Sequence, residues 1–175
     1  MSNFDRAAFN RAGKLFVAAN VSAKSVIAVT TGMTGVIIAN PPGSGKKALI
    51  ASAGWAWTTV PGAVHNIGFA LAAPHPTALS SLTAIGSGVL TADGSGNAGS
   101  AACRVYDAAT LPVAPVVVRW MFGAAWGSGV GVSPHALIDD IDGAIILNEG
   151  VVGCFAAVTT TAIGLGSICW AEVDA

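Results

Sequence analysis

The sequence predicts an all-β chain folded as an antiparallel β-sandwich with a short N-terminal arm or helix. Three observations carry that expectation. Apolar segments of strand length, many rich in β-branched residues, recur along the chain from Leu15 to Val173. Each is bounded by Gly, Pro, Asn or Asp, the residues that end strands and shape turns. Helical spacing is confined to a few places, the clearest of them at the N-terminus. Roughly eight to ten short strands at such intervals are the pattern of an antiparallel sandwich or barrel.

Taken in order, residues 3–15 place Phe4, Ala7, Ala8 and Arg11 at helical spacing, so residues 1–13 are read as an arm and 14–175 as one β-sandwich domain. Strand segments follow at 15–20, 24–31, 34–40, 47–60, 63–73, 102–108, 115–126, 143–148, 151–161 and 166–173. In 24–31, Val26, Ala28 and Thr30 share one face while Ile27 and Val29 share the other, which suits a strand buried on both sides. The segment 75–88 reads as a helical turn or a loop, and 91–102 as a Gly- and Ser-rich loop. No internal repeat and no interdomain linker interrupts this succession.

Composition bounds the function. Of 175 residues, 53% are hydrophobic and only 10% charged, with a net charge of −1. Soluble domains usually carry ~25% charged residues. Yet no run of ~20 residues stays apolar without interruption, so no membrane-spanning helix is expected. The polar start MSNFDRAAFNRAGK lacks the apolar core of a cleaved leader, and the near-neutral balance argues against an electrostatic grip on nucleic acid. A chain this poor in charge suits a protein that covers its surface with copies of itself or with a larger partner. The charge-free stretch between Lys47 and Asp93 is accordingly read as part core and part contact surface. Cys103, Cys154 and Cys169 have no Cys-x-x-Cys spacing and are read as small buried thiols.

Several motifs invite chemistry and decline it on inspection. ANPPGSGKKALI (39–50) looks like a phosphate-binding loop, but Asn40 stands where that motif needs glycine and Lys47 where it needs a hydroxyl. Two prolines also remove N–H groups from the loop, so it is read as a strand connection. IDDIDGAIILNE (138–149) resembles a calcium loop at Asp140, Asp142, Gly143 and Glu149, yet Ile138 occupies the first ligand position. It is read as an acidic turn, with a cation contact at Asp139, Asp140 or Asp142 left open. His65, His75 and His135 have no metal-ligand spacing, and no Gly-x-Ser-x-Gly elbow occurs. No catalytic residue, cofactor or metal site is assigned, and the chain is read as non-enzymatic. Trp55 and Trp57 would share one face of a strand and could stack on a glycan, although burial is the commoner fate of tryptophan in so apolar a chain.

The succession GKLFVAAN, TGVIIANPPGSGKKALI, IDGAIILNEGVVGCFAAV and GSICWAEV resembles a pattern in tailed-bacteriophage virion proteins. There an apolar strand runs into an Asn-Pro-x-Gly-Ser-Gly turn, and the last strand carries an aromatic-x-Glu. This chain has Glu149-Gly150 where Pro-Gly is commoner. The resemblance implies a β-sandwich, jelly-roll-like, that decorates or cements a capsid from its exterior after assembly in the host cytoplasm. Its partners would be the major capsid protein and further copies of the chain, a trimer being favoured over a dimer, with no nucleic acid or membrane. The alternative it leaves is a tail- or head-fibre module binding a host receptor or glycan, with Trp55, Trp57 and the 91–101 loop as its surface. The candidate capsid or subunit interface is the arm: Phe4, Phe9 and Phe16 as anchors, with Arg6, Arg11 and Lys14 reaching acidic groups.

Overall fold

A computed structural model describes residues 4–59, 65–93, 100–124, 136–157 and 162–175. One helix, α1 (Arg6–Arg11), precedes β1 (Leu15–Ala19), β2 (Lys24–Val26), β3 (Gly32–Ala39), β4 (Lys46–Trp57), β5 (His65–Ala72) and β6 (Ser80–Ala84). After these come β7 (Leu90–Thr91), β8 (Arg104–Thr110), β9 (Val116–Ala124), β10 (Ala136–Leu147), β11 (Val152–Ala157) and β12 (Ala162–Asp174). The first sheet has the order β10-β4-β12-β1-β7, with β2 also on β12, and the second the order β6-β8-β3-β11-β5-β9. Every ladder between the described strands is antiparallel, as the expected sandwich requires, the parallel Ala28–Ala157 contact being an isolated bridge.

The pairing is nested. β1 pairs β12, β3 pairs β11, β4 pairs β10 and β5 pairs β9, so the two halves of the chain run against each other like one long hairpin folded over. The insertion β6–β8 widens both sheets at one side: β8 and β6 extend the second beyond β3, and β7 extends the first beyond β1.

Between the sheets lies an aromatic core. β4 and β12 supply Trp55, Trp57, Ile50, Trp170 and Ile168, while β5 and β11 answer with Ile67, Phe69 and Phe155. Phe155 meets the Phe69 ring edge-on with centroids 5.9 Å apart, and Phe16 stacks on Trp170 at 5.7 Å. β11 is buried along its whole length. Its other face joins Met33, Ile37, Ala70, Ala72 and Leu111 in a second apolar cluster on the outside of the second sheet. That double burial explains why VVGCFAA shows no polar alternation.

The Asn-Pro-Pro-Gly-Ser-Gly turn carries the chain from β3 in one sheet to β4 in the other, and β10 to β11 crosses back beside it. Asn40, 1% exposed, ties the two crossings together. Its Nδ2 donates to Lys46 O and Leu147 O at 2.7 and 3.0 Å, and its Oδ1 accepts from Ser44 Oγ at 2.7 Å. Its backbone exchanges hydrogen bonds with Val151 and Gly150. Gly43 and Gly45, at φ +75° and +66°, aim their N–H groups at the Glu149 carboxylate, 3.0 and 2.7 Å away. A side chain at either position would strain that geometry. The turn is therefore the strand connection the sequence implies, and Glu149 is the residue that completes it.

Two further polar clasps join the sheets. Asn20, beyond β1, accepts from Gly166 N and donates to buried Asp107 on β8 at 2.6 Å; Lys24 pairs with the same carboxylate at 3.0 Å. Glu172 on β12 accepts from the N–H groups of Ala102 and Cys103 and from Trp170 Nε1. The aromatic-x-Glu pair thus holds the lead-in to β8 against the first sheet.

Four expectations need correction. The strand expected over 24–31 is three residues long, because Ala28, Val29 and Thr30 are exposed rather than buried on alternate faces. The segment 75–88 contains an edge strand, β6, which is exposed throughout and so lacked an apolar face to betray it. The Gly- and Ser-rich loop opens with strand residue Thr91, and residues 94–99 lie outside the described residues. The acidic turn at 139–142 is a bulge within the continuous strand β10, where pairing to β4 jumps between Asp140 and Ile145.

Because Asn40→Ala would leave two backbone carbonyls without their donor at a buried corner, it is expected to lower the unfolding free energy by roughly 2–4 kcal/mol in denaturant titration. Ser44→Ala, which leaves both carbonyls bonded, should cost about 1 kcal/mol or less.

Candidate functional site

The arm folds back over the outer face of the first sheet. Asp5 caps α1 by accepting from Ala8 N at 3.0 Å, and Phe4 and Phe9 stack with centroids 5.2 Å apart. The two rings cover Leu15, Ala51 and Ala171, with Leu49 and Cys169 beside them.

Arg6 reaches furthest. Opposite Ala51 the ladders slip on both sides: β10 pairs Asp140 with Ser52 and Ile145 with Ile50, and β12 pairs Cys169 with Ser52 and Trp170 with Ile50. Ala51 O accepts from Arg6 Nη2 at 2.9 Å. The same nitrogen lies 2.8 Å from Asp140 Oδ1 and 2.6 Å from Asp142 Oδ1. These bonds, Asp140 first, hold the guanidinium above its ordinary pKa. Phe4 lies against Gly143, where an added Cβ would come within 2.9 Å of Phe4 Cδ2. The arm thus sits in a receptor made of a bulge carbonyl, two carboxylates and a glycine gap.

The receptor also accounts for the calcium-like spacing at 138–149. The positive group between Asp140 and Asp142 is the Arg6 guanidinium, while Asp139 forms a two-point ion pair with Arg119 on β9 at 2.5 and 2.9 Å. β9 and β10 are the edges of opposite sheets, so this pair fastens the sandwich along that side. Aspartate is disfavoured in strands; here each carboxylate has an arginine that makes the position tenable.

The remaining candidates separate. Arg11 and Lys14 are exposed at the end of the arm. Phe16, expected as a contact anchor, is instead 2% exposed in the aromatic core, because β1 turns that side of the strand inward. Trp55 and Trp57 do share a face, but it is the inner one, at 2% and 3% exposure, so the expected glycan platform is core. An exposed tryptophan occurs instead at Trp120, 54% exposed on edge strand β9 near Val116 and Val118. His75 Nδ1 accepts from Thr77 N within its loop; His135 and the side chain of His65 lie outside the described residues. The receptor was missed in the sequence because the bulge at Ala51 and the fold-back of the arm leave no mark in residue spacing.

Burial raises the thiol pKa of Cys154 to about 12 and of Cys169 to about 11, and also raises that of Cys103. Cys169 differs in lying beneath the arm. Thiol reagents at neutral pH are therefore expected to modify the native chain slowly. Deleting residues 1–13 should speed labelling of Cys169, read by peptide mass mapping, roughly tenfold or more, because thiolate reactivity follows access and desolvation. Comparisons with protein-family models, with curated proteins and with solved structures find no match to this chain.

Proposed function

We propose that the chain is a non-enzymatic structural protein of a tailed-bacteriophage particle, a decoration or cement protein that binds the major capsid protein and braces the shell. The observation that carries this reading is a nested, doubly layered sandwich whose charged side chains are largely held within the chain. Arg6, Lys24, Lys46 and Arg119 have carboxylate partners, and Glu149 and Glu172 accept backbone N–H groups. Side chains engaged in this way rigidify a scaffold. We read the nesting of four strand pairs as a jelly roll, the two-sheet architecture that capsid domains share with other proteins. Fold alone does not fix function, so the phage assignment rests on the sequence resemblance together with this architecture.

A cement role asks for area, stiffness and apolar contact. Val116, Val118, Trp120, Ile138 and Ile146 are exposed on β9 and β10. Closed symmetric assembly, as a trimer or a dimer, is a means of covering such surface. The fibre alternative draws on Trp120 as a stacking platform in place of Trp55 and Trp57.

The test is co-sedimentation of the purified chain with bare capsids, together with its copy number in virions. A cement protein saturates the shell at hundreds of copies, whereas a fibre module reaches a few to a few dozen (orders of magnitude set by capsid symmetry). Deleting residues 1–13 should weaken attachment while circular dichroism still reports the sandwich. Undiminished attachment of that variant would remove the arm from the interface, and failure of the intact chain to bind any shell would overturn the cement reading.

A further inference from the structure

The arm receptor is a site for a segment, and every copy of the chain carries both halves of the match. We propose that copies of this protein associate by exchanging their N-terminal arms, the Phe4–Arg6–Phe9 face of one seating in the Ala51–Asp140–Asp142–Gly143 receptor of another. This deepens the notion that the arm makes a contact between subunits, but it does not depend on a capsid, because every contact involved lies between copies.

Four features favour exchange over permanent closure. First, α1 has no fully buried residue of its own, and the apolar contact that opening gives up, Phe4 and Phe9 on Leu15, Ala51 and Ala171, is recovered when the arm seats on another copy. Second, the closed fit is imperfect: among the described residues Arg6 Nε and Asn10 Oδ1 are buried without a hydrogen-bond partner, and a groove of about 660 Å³ runs beside the arm past Phe4, Phe9, Leu49 and Ile146. Third, the hinge is a glycine. Gly13, at φ +65°, ends the helix, its N–H bonding to Asn10 O while Lys14 N bonds to Phe9 O. Glycine leaves that left-handed state for an extended one at little cost, and a rebuilt arm makes the same contacts in trans as in cis. Fourth, among the described residues the outer sheet face beyond the arm is uncovered. Ile138 is 76% exposed and Ile163 38% exposed around small residues such as Ser52 and Ser167. Exchange brings a second copy to that face, which gives the open form a contact that the closed form lacks.

A charge-reversed pair tests the inference on full-length chains. Arg6→Asp spoils the arm of one variant; Asp140→Arg with Asp142→Asn spoils the receptor of the other, and asparagine tolerates the positive φ of residue 142. Within each variant, arm and receptor repel. Between them both exchanges are attractive. Light scattering should find each variant monomeric alone and the mixture at about twice the monomer mass, the closed two-fold case. The unaltered chain should associate as its concentration rises from micromolar to millimolar, and Gly13→Val should shift that association to lower concentration. Circular dichroism on each variant separates loss of exchange from loss of fold. Should a variant fail to fold, a peptide of residues 1–13 offered to the intact chain takes its place: saturable binding abolished by Arg6→Asp in the peptide supports exchange, and no binding up to millimolar peptide overturns it. A mixture of folded variants that stays monomeric, with the unaltered chain monomeric up to millimolar, overturns exchange.

Discussion

The structure depends on one corner. At Asn40 the chain leaves the second sheet for the first, and at Asn148–Val151 it returns, so two crossings lie side by side at the same end of the sandwich. Backbone turning between layers loses its ladder partners, and buried N–H and C=O groups must find others. Asn40 supplies two side-chain bonds for this purpose, with Ser44 holding its oxygen, and Glu149 supplies two more. With these crossings fixed, β3 beside β11 in one layer dictates β4 beside β10 in the other. The nested order then follows from the shortness of the connections rather than from any single strand.

Much of this architecture was legible in the residues. The long apolar segments became β3, β4, β5, β9, β11 and β12, and the breaks between them fell at Gly, Pro and Asn as turn chemistry requires. What escaped was structure whose stability comes from elsewhere in the chain. β6 has no buried face and exists because β8 offers it an edge. The first half of β10 reads as an acidic turn until Arg6 and Arg119 arrive from distant positions. The receptor for the arm rests on a two-sided slip in pairing at Ala51, a property of three strands together. Phe16 and the Trp55/Trp57 pair illustrate the converse limit: alternation told that the tryptophans share a face, but not which face the fold would close over.

Charge is used sparingly, and much of it is paired within the chain. Exposed ion pairs such as Lys46–Asp174 contribute little to stability in water. The hydrogen bond and attraction from Lys46 hold the Asp174 carboxyl below its ordinary pKa, so what the pair adds is present at neutral pH and lost as acid protonates the folded carboxyl. Partly buried groups matter more. Asp107 and Glu172 each join a strand of one sheet to a segment of the other, and removing either partner would leave a costly unpaired group. A surface with few unengaged charges remains, with little to repel a second apolar surface.

The loop that resembles a phosphate cradle is, in one respect, a working one. Its glycine N–H groups do converge on an anion, but the anion is the carboxylate of Glu149, delivered by the chain itself. A tethered ligand acts at an effective concentration of the order of millimolar or above. Any free phosphate arriving at Gly43 and Gly45 would have to displace a competitor that never diffuses away. Self-occupancy converts a potential binding loop into a rivet, and it marks Glu149 as the residue that makes the conversion.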